Sequence, residues 1–194
     1  MLKKIHLCCG NNLIKGWENF DLEPITGAKH INLLETFPFE NNSVDYIILE
    51  HALEHFDEVD GFSILKEINR VLKPNGVCRI STPSLDTYIN RFINWEHPNN
   101  EVHYRQFSTR ARFINYAFYG ESVSTHGEIK FLDGKSSFGC GHKYIYDFED
   151  LENKLQKIGF SKIESCNKNH SSMTCLENLD TRPDNGDIII DIYK

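Results

Sequence analysis

Short apolar runs separated by small or polar turns dominate the first half of the chain. Residues 3–9 and 17–22 each read as a strand, and 29–34 as a third. The stretch between the first two is too short for a full crossover helix, which takes a dozen or more residues in a parallel sheet. A shortened first crossover is therefore expected. Val44 to Leu49 is β-branched and almost wholly apolar, the pattern of a strand buried on both faces. From Asp60 the period changes, with Phe62, Leu65, Ile68 and Leu72 on one helical face. Lys73-Pro74-Asn75-Gly76 reads as a turn that stops this helix, and Val77 to Ser81 as a fifth strand. Near the other end Asp147 is placed to cap a helix carrying Phe148, Leu151, Leu155 and Ile158 on one face, closed by Gly159. Phe160 to Cys166 and Ile188 to Tyr193 read as strands with no helical pattern between them, so they are expected to pair antiparallel. The fold predicted is α/β: a doubly wound, mostly parallel sheet with one antiparallel C-terminal edge hairpin.

Composition narrows the function classes. With 194 residues, 40% hydrophobic and 25% charged, the chain fits one soluble domain spanning 1–194. A net charge of −7 disfavours nucleic acid as a partner. No apolar run approaches a membrane span, and the first strand begins too early for a signal peptide. The six cysteines show no Cys-x-x-Cys spacing, so neither a zinc knuckle nor a disulfide framework is expected, and a reduced, cytoplasmic setting is the simpler reading.

One region stands apart. Residues 84–143 hold eleven of the 23 aromatics and four of the nine histidines, and carry a net charge of +1. An insertion after the fifth strand is placed to cover a ligand at the strand ends, so 84–143 reads as an acceptor-binding or lid region. Arg105, Arg110 and Arg112 lie in it and suit an anionic small molecule.

The chemistry concentrates in Ile5-His6-Leu7-Cys8-Cys9-Gly10, a strand entering a small-residue turn, and in Asp21, eleven residues beyond that glycine. Such a turn allows close backbone approach, and an acid ending the second strand can accept ribose hydroxyls. Further on stand Gly16-Trp17, Asn19-Phe20-Asp21, Phe37-Pro38-Phe39, Ser43-Val44-Asp45, Leu53-Glu54-His55 and Arg70-Val71-Leu72-Lys73-Pro74-Asn75-Gly76. Taken together these resemble the class I S-adenosylmethionine-dependent methyltransferases, in particular a small bacterial branch met among surface-polysaccharide genes. The resemblance covers residues 3–83 best. Two positions depart from it: Cys8 and Asn75 stand where glycine is usual.

The resemblance implies a Rossmann-like methyltransferase fold and S-adenosylmethionine as cofactor. It implies that Cys9, Gly10 and Asn11 line the methionine part and that Asp21 takes the ribose hydroxyls. Asn32 and Leu33 would flank the adenine, and Glu50 and His51 would face the sulfonium. The cofactor supplies the activated methyl group and the protein supplies positioning. A hydroxyl acceptor also needs a base, for which histidine suits neutral pH. The candidates are His51, His55, His103, His126 and His142, with His55 and His142 preferred. His51-Ala52-Leu53-Glu54-His55 also has inverted zinc-protease spacing, and a divalent ion on His51, Glu54 and His55 is a variant of that idea. The acceptor expected is small and polar, phosphorylated or sugar-linked, in capsule or surface-glycan modification. The alternative is a non-catalytic methyltransferase-like partner or assembly subunit, motivated by Cys8 and the shortened crossover. A nicotinamide oxidoreductase lacks its Gly-x-Gly-x-x-Gly fingerprint here.

Overall fold

The computed structural model describes residues 2–95, 109–119, 142–182 and 185–194. Its strands are β1 (Lys4–Leu7), β2 (Glu18–Asp21), β3 (Lys29–His30), β4 (Val44–Glu50), β5 (Leu72–Thr82), β6 (Lys162–Ser165) and β7 (Ile188–Tyr193). They form one sheet in the order β3-β2-β1-β4-β5-β7-β6. All neighbours pair parallel except β7, which runs antiparallel to both β5 and β6. The α/β class, the mostly parallel sheet and the antiparallel edge pair are those expected. Among the described residues four α-helices accompany it: α1 (Glu58–Val71), α2 (Leu85–Ile93), α3 (Arg110–Tyr119) and α4 (Phe148–Ile158).

Three details differ from the sequence expectation. Only two residues of the third strand pair, because the chain then turns away at Asn32, whose side chain accepts the Leu34 N–H at 3.1 Å. Helix α1 starts earlier, at an Asp57 cap that accepts from the Val59 and Asp60 N–H groups. Its buried face is therefore Gly61, Ile64, Leu65, Ile68 and Val71, which leaves Phe62 only partly covered. Lys73 to Gly76 does not precede β5 but bulges within it: Val44 pairs with Leu72, and Tyr46 next with Val77. Asn75 sits at φ +66°, a left-handed conformation that asparagine tolerates better than most residues. The connection between β1 and β2 contains no helix, as its length requires.

Helices α1 and α4 lie on the same side and pack on each other. Under them, alternate strand residues such as Ile5, Leu7, Ile47, Leu49, Cys78 and Ile80 join Leu65, Ile68, Leu151 and Leu155 in the main core. Burying each large aliphatic side chain contributes roughly 1.5–3 kcal/mol. The opposite face differs. There the cross-strand register aligns Asn19, His6, Ile48, Arg79, Asp191 and Glu164 in one row across six strands. Its apolar cluster is small, built on Ile14, Trp17, Ile48, Val77 and Leu176. Among the described residues, that cluster draws its cover from the β1–β2 connection and from the excursion between β6 and β7.

Candidate active site

After β1 the backbone bends sharply, with Cys8 at φ +53° and Gly10 at φ +50°. A non-glycine residue in this region costs about 1–2 kcal/mol, so the glycine usual at position 8 has a clear backbone reason. The Cys8 thiol is pushed up to about 12 by burial first and by the Asp21 charge second, so it stays protonated. The bend is tied directly to Asp21. Gly10 N–H donates to Asp21 Oδ2 at 2.8 Å, and Glu23 N–H donates to Oδ1 at 3.0 Å. Both carboxylate oxygens keep lone pairs for further donors. Asn19 explains how the helix-less crossover holds its shape. Its Oδ1 accepts the Ile14 N–H at 2.9 Å, and its Nδ2 donates to the Ile14 and Trp17 carbonyls at 3.1 and 3.2 Å. The same Oδ1 lies 3.2 Å from His6 Nδ1.

A cleft of about 230 Å³ opens at the carboxyl ends of β1, β2 and β4. Gly10, Asp21, Asn32, Leu33, His51 and Arg182 line it, with Cys8 and His55 alongside. Crevices at this edge of an open parallel sheet are where such folds bind ligands.

His51 sits between two carboxylates. Its Nε2 is 3.0 Å from Asp187 Oδ2 and its Nδ1 is 3.4 Å from Glu54 Oε1. Burial alone would lower its pKa, but these two partners outweigh that and raise it to about 10. His51 is thus an imidazolium at neutral pH, and its backbone is held at φ +48°. Glu54 is buried, which opposes its charge, yet His51 keeps its pKa below the ordinary carboxyl value. Its other oxygen accepts from Thr82 Oγ1 at 3.1 Å. His142 differs: its ring centroid lies 5.4 Å from that of His55, with the planes tilted by 56°, and burial lowers its pKa. Its Nδ1 lies 2.5 Å from the Ala117 carbonyl, which only accepts, so the proton is on Nδ1 and Nε2 carries the lone pair. Glu54, His55 and His142 bring one ligating atom each within 4.8 Å of one another, a set compatible with a divalent ion. The Glu54 charge is already balanced by His51.

Arg182 reaches the cleft from the excursion before β7. Glu50 accepts the Thr181 N–H and the Arg182 N–H, each at 2.9 Å, and also the Thr181 hydroxyl. One residue earlier, Asp180 takes two hydrogen bonds from Arg79, at 2.7 and 2.9 Å.

Residues 19–80, about a third of the chain, match a family described as a methyltransferase domain. No curated protein matches the chain in sequence. A SAM-dependent methyltransferase from Archaeoglobus fulgidus superposes with TM-score 0.54 at 16% identity, over 100% of this chain and 86% of that one. Another from Thermotoga maritima gives 0.55 at 14% identity, over 99% and 82%. A candidate O-methyltransferase from Nostoc punctiforme gives 0.50 at 16% identity, and there the chain spans only 52% of its relative. The fold is that of the S-adenosylmethionine-dependent methyltransferases. The domain match lies within this fold.

Within that methyltransferase frame the sequence-derived residues divide. Gly10, Asp21, Asn32, Leu33, His51 and His55 come together on the cleft. Cys9 is buried, Asn11 is exposed, and neither lines it. Glu50 lies beneath the cleft with its oxygens committed to residues 181 and 182. Asn32 spends its amide on the Glu35 carboxylate and its carbonyl on the Leu34 N–H. His142 stands one ring behind His55. His103, His126 and Arg105 fall outside the described residues. Arg110 and Arg112 are exposed on α3.

Sequence reasoning passed over Arg182 and Asp187. Their signal was topological. A strand antiparallel to β5 must begin where β5 ends, as the Thr82–Ile188 pairing demonstrates. The charged residues just before Ile188 therefore stand at the ligand edge of the sheet.

Proposed function

We propose that this chain transfers the methyl group of S-adenosylmethionine to a small polar acceptor, phosphorylated or sugar-linked, and works in the cytoplasm. The observation that carries the reading is Asp21. It ends β2, holds the Gly10 amide at 2.8 Å and faces a cleft at the strand ends, where a ribose diol can reach it. Asp21, Asn32 and Leu33 bind the adenosine, and Gly10, in the bend with Cys9 and Asn11, borders the methionine part. The region 84–143 supplies the acceptor side, and its excess of arginine supports an anionic group there. The setting in capsule or surface-glycan modification rests on the resemblance of the 16–76 motifs alone.

The histidines take separate parts. His51, protonated between Glu54 and Asp187, is a fixed cation and not a proton acceptor. His142 is neutral at physiological pH, with Nε2 able to accept a proton. His55, which lines the cleft, takes the acceptor's proton as it passes its own to His142 Nε2, so His142 is the terminal base of the pair. Methyl transfer itself asks only for an in-line approach to the activated carbon.

Calorimetry with S-adenosylhomocysteine tests the cofactor reading. Wild-type protein should bind, and Asp21→Asn, which keeps an acceptor for Gly10, should bind about ten-fold or more weakly for want of charged hydrogen bonds to the ribose. Equal affinity in both proteins, or none in either, rejects it. Once an acceptor is in hand, His142→Gln should lower kcat by about 10²-fold or more, with cofactor affinity unchanged.

A further inference from the structure

The cofactor carries a sulfonium, an α-ammonium and one anionic group, the α-carboxylate. An anion entering a cleft needs either a cation or a set of N–H donors. Among the described residues lining this cleft, Arg182 is the only arginine or lysine. His51 is the other cation, but both of its ring nitrogens already face carboxylates. We propose that Arg182 binds the α-carboxylate of the cofactor, an assignment that rests on the S-adenosylmethionine reading above.

Its placement supports the role. Arg182 Nη2 stands 3.6 Å from where a side chain on Gly10 would begin, so the guanidinium lies across the same bend that Asp21 holds from below. The adenosine and amino-acid ends of one ligand thus meet the two sides of a single turn. The guanidinium is carried on a fixed root. Glu50 grips the backbone N–H groups of residues 181 and 182, and Arg79 grips Asp180. Little ordering is then needed when the ligand arrives, which favours affinity. Charge is also matched. The cofactor has a net charge of +1, and the carboxylates of Asp21, on the cleft, and Glu50, under the Arg182 backbone, offset the repulsion between the guanidinium and the sulfonium. A planar fork suits a carboxylate, whereas an ammonium offers only a point charge.

Two probes separate the carboxylate from the rest of the ligand. S-adenosylhomocysteine has it. 5′-Methylthioadenosine keeps the adenosine and thioether but lacks the whole amino-acid end, and decarboxylated S-adenosylmethionine lacks the carboxylate alone. In titrations of wild type, Arg182→Gln and Arg182→Lys, S-adenosylhomocysteine should weaken about ten-fold or more with Gln and less with Lys. The two carboxylate-free probes should change by less than about two-fold, since no charge-assisted bond is lost. Equal weakening of all three probes makes Arg182 a scaffold residue and overturns the proposal, as does unchanged S-adenosylhomocysteine binding. Wild-type protein that binds none of the probes overturns the methyltransferase reading itself, and with it this one. A matched melting midpoint for the Gln variant establishes that the loop still folds.

Discussion

Beneath α1 and α4 the sheet offers Ile5, Leu7, Ile47, Leu49 and Ile80 to a continuous hydrocarbon core. Its other face offers His6, Glu50, Arg79 and Asp191, all buried and all polar, to a cover that draws on the β1–β2 connection and the β6–β7 excursion. The first arrangement needs only shape and volume. The second needs each charge to find its partner. Arg79, 1% exposed, directs its donors to Asp180, Asp191 and the carbonyls of Asn167 and His170. The apolar face supplies stability that is largely indifferent to detail, while the charged face fixes where one loop lies. That loop delivers Arg182 to the cleft and Asp187 to His51 at its edge.

The contrast can be broken from either side. Arg79→Met should destabilise by about 3–5 kcal/mol, because it leaves Asp180 and Asp191 buried without a counter-charge. Burial already raises the Asp191 pKa even with Arg79 present. Removing the arginine raises it further, so the folded variant holds protons more tightly than the unfolded chain. Part of the loss should then be recovered between pH 7 and pH 5 in urea titrations. S-adenosylhomocysteine binding should weaken as well. Leu65→Ala, on the apolar face, should cost about 3 kcal/mol through its cavity, equally at both pH values, with ligand affinity intact. Identical pH responses from the two variants would erase the distinction.

A smaller effect sharpens it. His51→Asn keeps a residue that tolerates φ +48° but removes the cation between Glu54 and Asp187, at a cost of about 2 kcal/mol near pH 7. The folded pKa of about 10 lies above the unfolded value of 6.5. The stabilisation is therefore complete below pH 6.5 and declines as pH rises, vanishing above pH 10. Thermal melts of the two proteins should converge across that window. A constant gap would place the His51 effect in packing instead of charge.

The apolar face was legible in the sequence because periodicity reports burial. The β4 run, the α4 face with its Asp147 cap and Gly159 at φ +103°, and the antiparallel pairing of β6 with β7 all follow from it. Asp21 was legible through its place at a strand end. The charged face was not. Arg79 and Asp191 each interrupt an apolar strand at a central position, but nothing local says that two strands 112 residues apart will align them. The family resemblance alone turns Glu50 toward the ligand, and only the excursion above it reveals the backbone it holds. The motif Leu53-Glu54-His55 conveyed that these residues mattered without conveying that Glu54 would answer to His51 and Thr82.

The position of β7 has a consequence for how the protein becomes competent. This strand follows every other element in sequence, yet it inserts between β5 and β6 and lies just beyond the loop that presents Arg182. Pairings of such long sequence separation form slowly. An intermediate with β1 to β5 zipped and α1 docked would own the Gly10–Asp21 bend while its arginine arm was still unplaced. Ligand affinity in this protein should thus lag behind helix formation during refolding, and a truncated or frayed tail should empty the site long before it melts the core.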